Sequence, residues 1–172
     1  MTKTKMTYLI CYDDHRTFTE DVRKRFSDTT RYVVVSFHTK QDFIEHLQNE
    51  ADNGSCKVAI IGVPDAVEQF ETINSLTQDI KASDQKTGII LLSPSDKMDE
   101  LMKTIKFNID AYIPRNTNSI LRIHNTVKKL FSEHNIAIYR RKRNISLYVV
   151  LSFLLLVVII IIVAYFRFPA YF

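Results

Sequence analysis

From Ile145 to Phe166 the chain runs for 22 residues without a charged side chain, and most of them are Ile, Val or Leu. Coiled as an α-helix, such a run is about 33 Å long at about 1.5 Å per residue, enough to cross a hydrocarbon core of about 30 Å. A helix buried in a soluble core is the alternative, but it needs far fewer consecutive apolar residues and no basic flanks, whereas this run lies between Arg143 and Arg167. Tyr148, Tyr165 and Phe166 stand near its ends, where interfacial aromatics are expected. A basic collar, Arg140, Arg141, Lys142 and Arg143, precedes the run, and the single Arg167 follows it. The positive-inside rule then predicts one membrane crossing, with the N-terminal part cytoplasmic and the tail 167–172 exported. The collar would set topology alone or also attract anionic lipid. No glycine and no pair of small residues four apart occurs in the span, so no close-packed helix dimer is signalled. Lys3 and Lys5 are followed by only about five apolar residues, too few for a signal peptide, so the expectation is a tail-anchored protein.

The net charge of +4 follows from that anchor. Residues 1–139 sum to −1, and the collar with Arg167 supplies the excess. A basic overall balance is therefore no sign of a nucleic-acid-binding surface. The chain has three glycines, Gly54, Gly62 and Gly88, from which neither a dinucleotide-binding nor a phosphate-cradling loop can be built. Cys11 and Cys56 lack zinc spacing and read as reduced core thiols of a cytosolic domain rather than a disulfide. The five histidines share no spacing that would argue for a metal site.

Ahead of the anchor, short apolar runs alternate with amphipathic stretches at a period near 25 residues. The runs are 8–12, 32–37, 58–63, 89–92 and 111–113. Between and after them, apolar residues recur at helical spacing: Phe18, Val22 and Phe26; Phe43, Ile44 and Leu47; Phe70, Ile73, Leu76 and Ile80; Met98, Leu101, Met102 and Ile105; Ile120, Ile123, Val127 and Leu130. Continuous apolar strands alternating with such helices predict a parallel sheet covered on both faces. Pro64, Pro94 and Pro114 fall just past the third, fourth and fifth runs, where loss of an N–H donor ends a ladder. Ligands of open parallel sheets sit at that same carboxyl edge.

The residues predicted at that edge are Asp13 and Asp14 after the first strand, Gly62 to Asp65 after the third, Ser93 after the fourth, and Tyr112 to Asn116 around the end of the fifth. In this order, residues 6–134 resemble the receiver domain of two-component response regulators. Leu9–Asp14 is similar to the family's first strand with its acidic metal-binding pair. Asn108–Arg115 is similar to the segment that carries the family's switch aromatic, here Tyr112, and its lysine, here Arg115. Ser93 stands at the place of the hydroxyl residue on strand four. The resemblance implies an α/β, flavodoxin-like (βα)5 three-layer sandwich with parallel sheet order 2-1-3-4-5, followed by one transmembrane helix. The domain expectation is a receiver-like unit at 1–134, a basic juxtamembrane segment at 135–144, the span at 145–166 and the tail at 167–172.

Two departures bear on function. The family's phosphate-accepting aspartate, aligned on Val58–Ile61, falls on Gly62, which can neither be phosphorylated nor bind a metal. Mg²⁺ requires near-octahedral oxygen ligation, so weak binding at best is expected and no cofactor is assigned. Arg115 replaces the lysine with a planar fork suited to carboxylates, able to reach Asp13 or Asp14 and neutralise it permanently. A phosphate acceptor at Asp65, three residues on, is the competing reading. Asp13 and Asp14 also suit the N-terminus of the first helix as caps, and both roles can hold together.

Between Asn116 and Phe166 there is neither Gly nor Pro, so the fifth helix either continues into the span or breaks near Asn135, a modest helix former. The expectation for function is a membrane-anchored, phosphorylation-independent pseudo-receiver, with no enzymatic activity, docking or scaffolding proteins at the cytoplasmic face of a bacterial inner-membrane complex. Its partners would be membrane or cytoplasmic proteins or further copies of itself, not nucleic acid. The resemblance implies a partner face over 97–129, with Met98, Leu101, Lys106 and Tyr112. The alternatives are a response regulator phosphorylated at Asp65 and a structural subunit of a secretion or motility machine.

Overall fold

The computed structural model describes residues 6–13, 16–49, 55–63, 70–105 and 108–167, with the side chains of 16, 17 and 163–167 left aside. Asp14, Pro64, Asp65, Lys106 and the tail beyond Arg167 lie outside the described residues. The chain divides into two compact units, residues 1–132 and 133–172.

In the first unit, five strands form one sheet: β1 (Thr7–Tyr12), β2 (Tyr32–Phe37), β3 (Cys56–Gly62), β4 (Gly88–Ser93) and β5 (Ala111–Pro114). All neighbours pair in parallel in the order β2-β1-β3-β4-β5, so both the parallel sheet and the expected order are found. The helices are α1 (Arg16–Arg25), α2 (Lys40–Asn49), α3 (Phe70–Ser83), α4 (Met98–Thr104) and α5 (Ser119–Arg167), with a short 3₁₀ turn at Ser95–Lys97. Thr39 caps α2: its hydroxyl accepts from the Asp42 N–H and donates to the Asp42 carboxylate.

Burial on both sheet faces explains why the inner strands read as continuous apolar runs. Every residue of β3 and β4 is buried. Alternate residues divide between two core clusters. Ile10, Ala59, Ile61, Ile89 and Leu91 meet Phe43, Leu47, Phe70, Ile73, Leu76, Ile80, Leu101 and Ile105 from α2, α3 and the α4 region. Leu9, Cys11, Val58, Ile60, Ile90 and Leu92 meet Val22 and Phe26 from the α1 region and Ile123 and Val127 from α5. The predicted stripes therefore face inward except at the methionines of α4, where Met98 is part-exposed. Met102, counted in the fourth stripe, is exposed while Leu101 is wholly buried. Burial of Cys11 pushes its thiol up to about 12, with Asp13 adding to the effect, and burial of Cys56 pushes its thiol up to about 11. Both are free.

One buried charge lies at the amino edge of this core. Lys57, on β3, is almost fully buried, and its Nζ meets Asp84 Oδ2 at 3.1 Å. The Asp84 carboxyl lies below its ordinary range: partial burial opposes ionisation, but the Lys86 N–H and the Lys57 ammonium outweigh it. The pair sits at the amino edge of the sheet, beside the start of β3 and the turn before β4.

The second unit is the helical segment from Glu133 onward. Backbone helix is unbroken through α5, with no interruption at Asn135. It is long and apolar enough to cross a membrane, and no part of its apolar window is buried. Leu147, Leu151, Leu154, Leu155 and Ile161 are each more than half exposed.

Removing one partner of a buried ion pair strands the other charge, so Asp84→Ala should destabilise the domain by about 3 kcal/mol in urea unfolding. Lys57→Met, which leaves only a part-exposed carboxylate behind, should cost much less. A second prediction concerns His124. Its imidazole lies against Phe26, tilted by 39°, with ring centroids 5.3 Å apart. Burial holds its pKa below the ordinary 6.5, and the nearby Lys128 and Arg25 charges act in the same direction. The native state thus disfavours the imidazolium. Its contribution to stability is complete above about pH 6.5 and declines as pH falls toward the lower native value. His124→Gln should flatten that part of a stability–pH profile.

Candidate functional site

The carboxyl edge is assembled by strand register. Tyr12 pairs with Ile61, so Asp13 comes level with Gly62, and Gly62 itself pairs with Leu92. Ser93 pairs with Pro114, which places Arg115 just beyond the end of β5. Two backbone bonds stitch the edge: Val63 N–H to the Leu92 carbonyl at 2.7 Å and Arg115 N–H to the Ser93 carbonyl at 2.8 Å. From β1 to β5 is three inter-strand steps, about 14 Å in all. Only a long side chain can close that gap across the ends of β3 and β4.

Arg115 does so. Its Nη2 donates to Asp13 Oδ2 at 3.0 Å, joining residues 102 apart in sequence. The Asp13 side chain is 1% exposed and that of Arg115 24%. Burying a carboxylate this deep is costly unless it is paired, and the guanidinium pairs with it. Gly62 makes the contact possible. A Cβ at position 62 would stand 2.5 Å from Arg115 Nη2 and 2.5 Å from both Cγ and Oδ2 of Asp13. The ion pair therefore lies directly over the glycine, in the space any longer residue would claim.

Ser93 is wholly buried, and among the described residues its hydroxyl has no hydrogen-bond partner; the same holds for Arg115 Nε. Tyr112 is half-buried, packed against the cluster beneath α4, and its hydroxyl donates to the Ile105 carbonyl. Burial raises its phenol above the ordinary value. Leu101, expected on a partner face, is fully buried in the core and cannot meet a partner, because the short α4 turns that side toward the sheet. Met98 is part-exposed and Met102 is 40% exposed, so these are the methionines α4 presents outward. Periodicity alone missed this, since Leu101 and Met102 are adjacent and both fit the stripe. Asp14, Asp65 and Lys106 are outside the described residues. Arg140, Arg141, Lys142 and Arg143 are all exposed, in the second unit. Sequence reasoning also passed over Lys57, whose only signal is a lysine inside an otherwise apolar strand.

A Mg²⁺ ion, which the fold implies, does not fit the described side chains. Asp13 directs Oδ2 at a guanidinium, Gly62 contributes no ligand, and the cationic Arg115 occupies the space over the edge. Among the described residues no group of three His, Cys, Asp or Glu side chains could hold a metal.

No sequence family and no curated protein matches this chain. Solved structures do. A response regulator receiver domain protein from Clostridium thermocellum superposes with a TM-score of 0.60 at 12% identity, covering 77% of this chain and 98% of that one. A response regulator from Thermotoga maritima gives 0.59 at 17% identity, covering 74% and 98%. A protein named as adenylate cyclase from Rhodopirellula baltica gives 0.59 at 8% identity, covering 80% and 96%. Likeness at these identities establishes the fold: it is the CheY-like receiver fold, followed by one long apolar helix.

If the ion pair and the glycine are mutually dependent, Gly62→Ala should cost about 2 kcal/mol of stability, since the new methyl displaces both charged groups. In an Arg115→Ala background the same substitution should cost clearly less, because one of its two collisions is gone. Equal costs in both backgrounds would separate Gly62 from the pair.

Proposed function

We propose that this chain is a membrane-anchored pseudo-receiver that works without phosphorylation, as a docking or scaffolding module at the cytoplasmic face of a bacterial inner-membrane complex. The observation that carries the reading is the Asp13–Arg115 pair lying over Gly62. A phosphorylatable receiver needs a carboxylate at the end of β3 and room beside it for a metal and a phosphoryl group. Here the carboxylate is missing and the room is taken by a permanent charge pair. A metal and a phosphoryl group would hold such an edge together transiently; Arg115 and Asp13 do so all the time. With no nucleophile at position 62, the reading assigns no enzymatic step and no cofactor.

The anchor supports the location. The second unit offers an apolar helix preceded by four exposed basic residues, the arrangement the positive-inside rule associates with a cytoplasmic flank. Protein partners, membrane-bound or cytoplasmic, or further copies of the chain, would be met by the exposed part of the α4–β5 region. Met98 and Met102 suit that use, as flexible apolar side chains that adapt to a partner.

Intact-mass measurement after incubation with acetyl phosphate and Mg²⁺ tests the central point. The reading predicts no gain in mass. A phosphoryl adduct that disappears in Asp65→Asn would replace it with a response regulator using an atypical acceptor.

A further inference from the structure

We propose that Arg140, Arg141, Lys142 and Arg143 form a ring-shaped binding site for the phosphate groups of anionic lipids. The proposal rests on the reading of 145–166 as a membrane span. It goes beyond that reading by assigning the collar a ligand as well as a topological role.

The first observation is geometric. All four residues lie within continuous helix and all four are exposed. Successive helical residues are about 100° apart, so four in a row point to every side of the helix at one level. A protein partner covers one side of a helix and calls for a stripe of complementary residues at i, i+3, i+4 and i+7. A ring has no such side. It matches a partner that surrounds the helix at a single height, and a layer of lipid headgroups does that.

The second observation is electrostatic. From Asn135 to Phe172 the sequence contains five Lys or Arg residues and no Asp or Glu. Positions one helical turn away from the ring, such as Ile136, Ala137, Asn144 and Leu147, are uncharged. Among the described residues, none of the four takes part in a described ion pair. In the first unit the buried Lys57 is matched to Asp84 and the part-exposed Arg115 to Asp13. The ring is left for an external anion.

The third observation is chemical and positional. Three of the four are arginines, whose planar forks take two oxygens of one phosphate. The uncharged run begins at Ile145, about 3 Å along the axis from Arg143, so the ring stands at headgroup height when the run is in hydrocarbon. Tyr139 and Tyr148, 71% and 70% exposed, bracket it with amphipathic rings suited to the same zone.

The test uses the full-length protein in nanodiscs of equimolar phosphatidylcholine and phosphatidylglycerol. Lipid that stays bound after gentle detergent extraction is counted by native mass spectrometry. Each basic side chain near an anionic surface gains affinity, so phosphatidylglycerol should exceed phosphatidylcholine by about tenfold or more on the wild type. The variant carrying Arg140→Gln, Arg141→Gln, Lys142→Gln and Arg143→Gln should retain the two lipids equally. Replacing the three arginines by Lys should leave an intermediate preference, since charge remains but the fork is lost. Equal retention of the two lipids by the wild-type protein overturns the proposal even if the Gln variant cannot be produced. Failure of the anchor reading looks different: the wild type would stay in solution without detergent and carry neither lipid.

Discussion

A carboxylate removed from water has to be compensated, and at the carboxyl edge of this sheet the Arg115 guanidinium reaches Asp13 to do so. Asp13 is driven inside because β1 is a central strand, hydrogen-bonded on both sides by β2 and β3. Arg115 arrives from the far edge strand and closes the circuit at 3.0 Å. Several features of the sequence then become requirements. Position 62 has to be glycine, because the pair runs over it. Residue 115 has to be long, to cross the ends of β3 and β4. The Arg115 backbone has to be fixed, and its N–H is held by the Ser93 carbonyl. Breaking a buried pair from one side is costly in a way that replacing both members is not, so these positions are expected to change together.

The amino edge repeats the same physics with different consequences. There Lys57 is the buried member and Asp84 the part-exposed one. That pair lies where a strand and a turn meet, and its aspartate also accepts from the Lys86 N–H, so it reads as a fastening of the β3–β4 connection. The carboxyl-edge pair instead occupies the place where open parallel sheets put their ligands. Position decides the difference: the same type of bond fastens a strand–turn junction at one end of the sheet and bridges the strand ends at the other.

Much of the fold could be read from the sequence because both signals in it are strong. The inner strands are mostly apolar, the helices keep their stripes, and the registers follow from the requirement that alternate residues enter two different cores. The site was legible at Gly62 and Arg115, because a glycine and an arginine stand out at positions where a receiver carries other residues. That Arg115 would choose Asp13 could not be read, since Asp14 is its neighbour and only register brings Asp13 level with Gly62. Leu101 was misplaced for a local reason: α4 has 7 residues, under two turns, and two adjacent apolar residues cannot be sorted by period over so short a helix. Continuity of α5 at Asn135 was undecidable too, because one weak helix former neither ends nor guarantees a helix.

The claim on which everything rests is that Asp13 and Arg115 are energetically one unit. A double-mutant cycle with Asp13→Asn and Arg115→Met, read by urea unfolding of residues 1–132 within the full chain, measures it directly. A coupling of about 1.5 kcal/mol or more, with the double variant no less stable than the worse single one, is the predicted result. Additive losses, with coupling near zero, would mean that the pair does not hold the edge and that the space above Gly62 is free for another occupant.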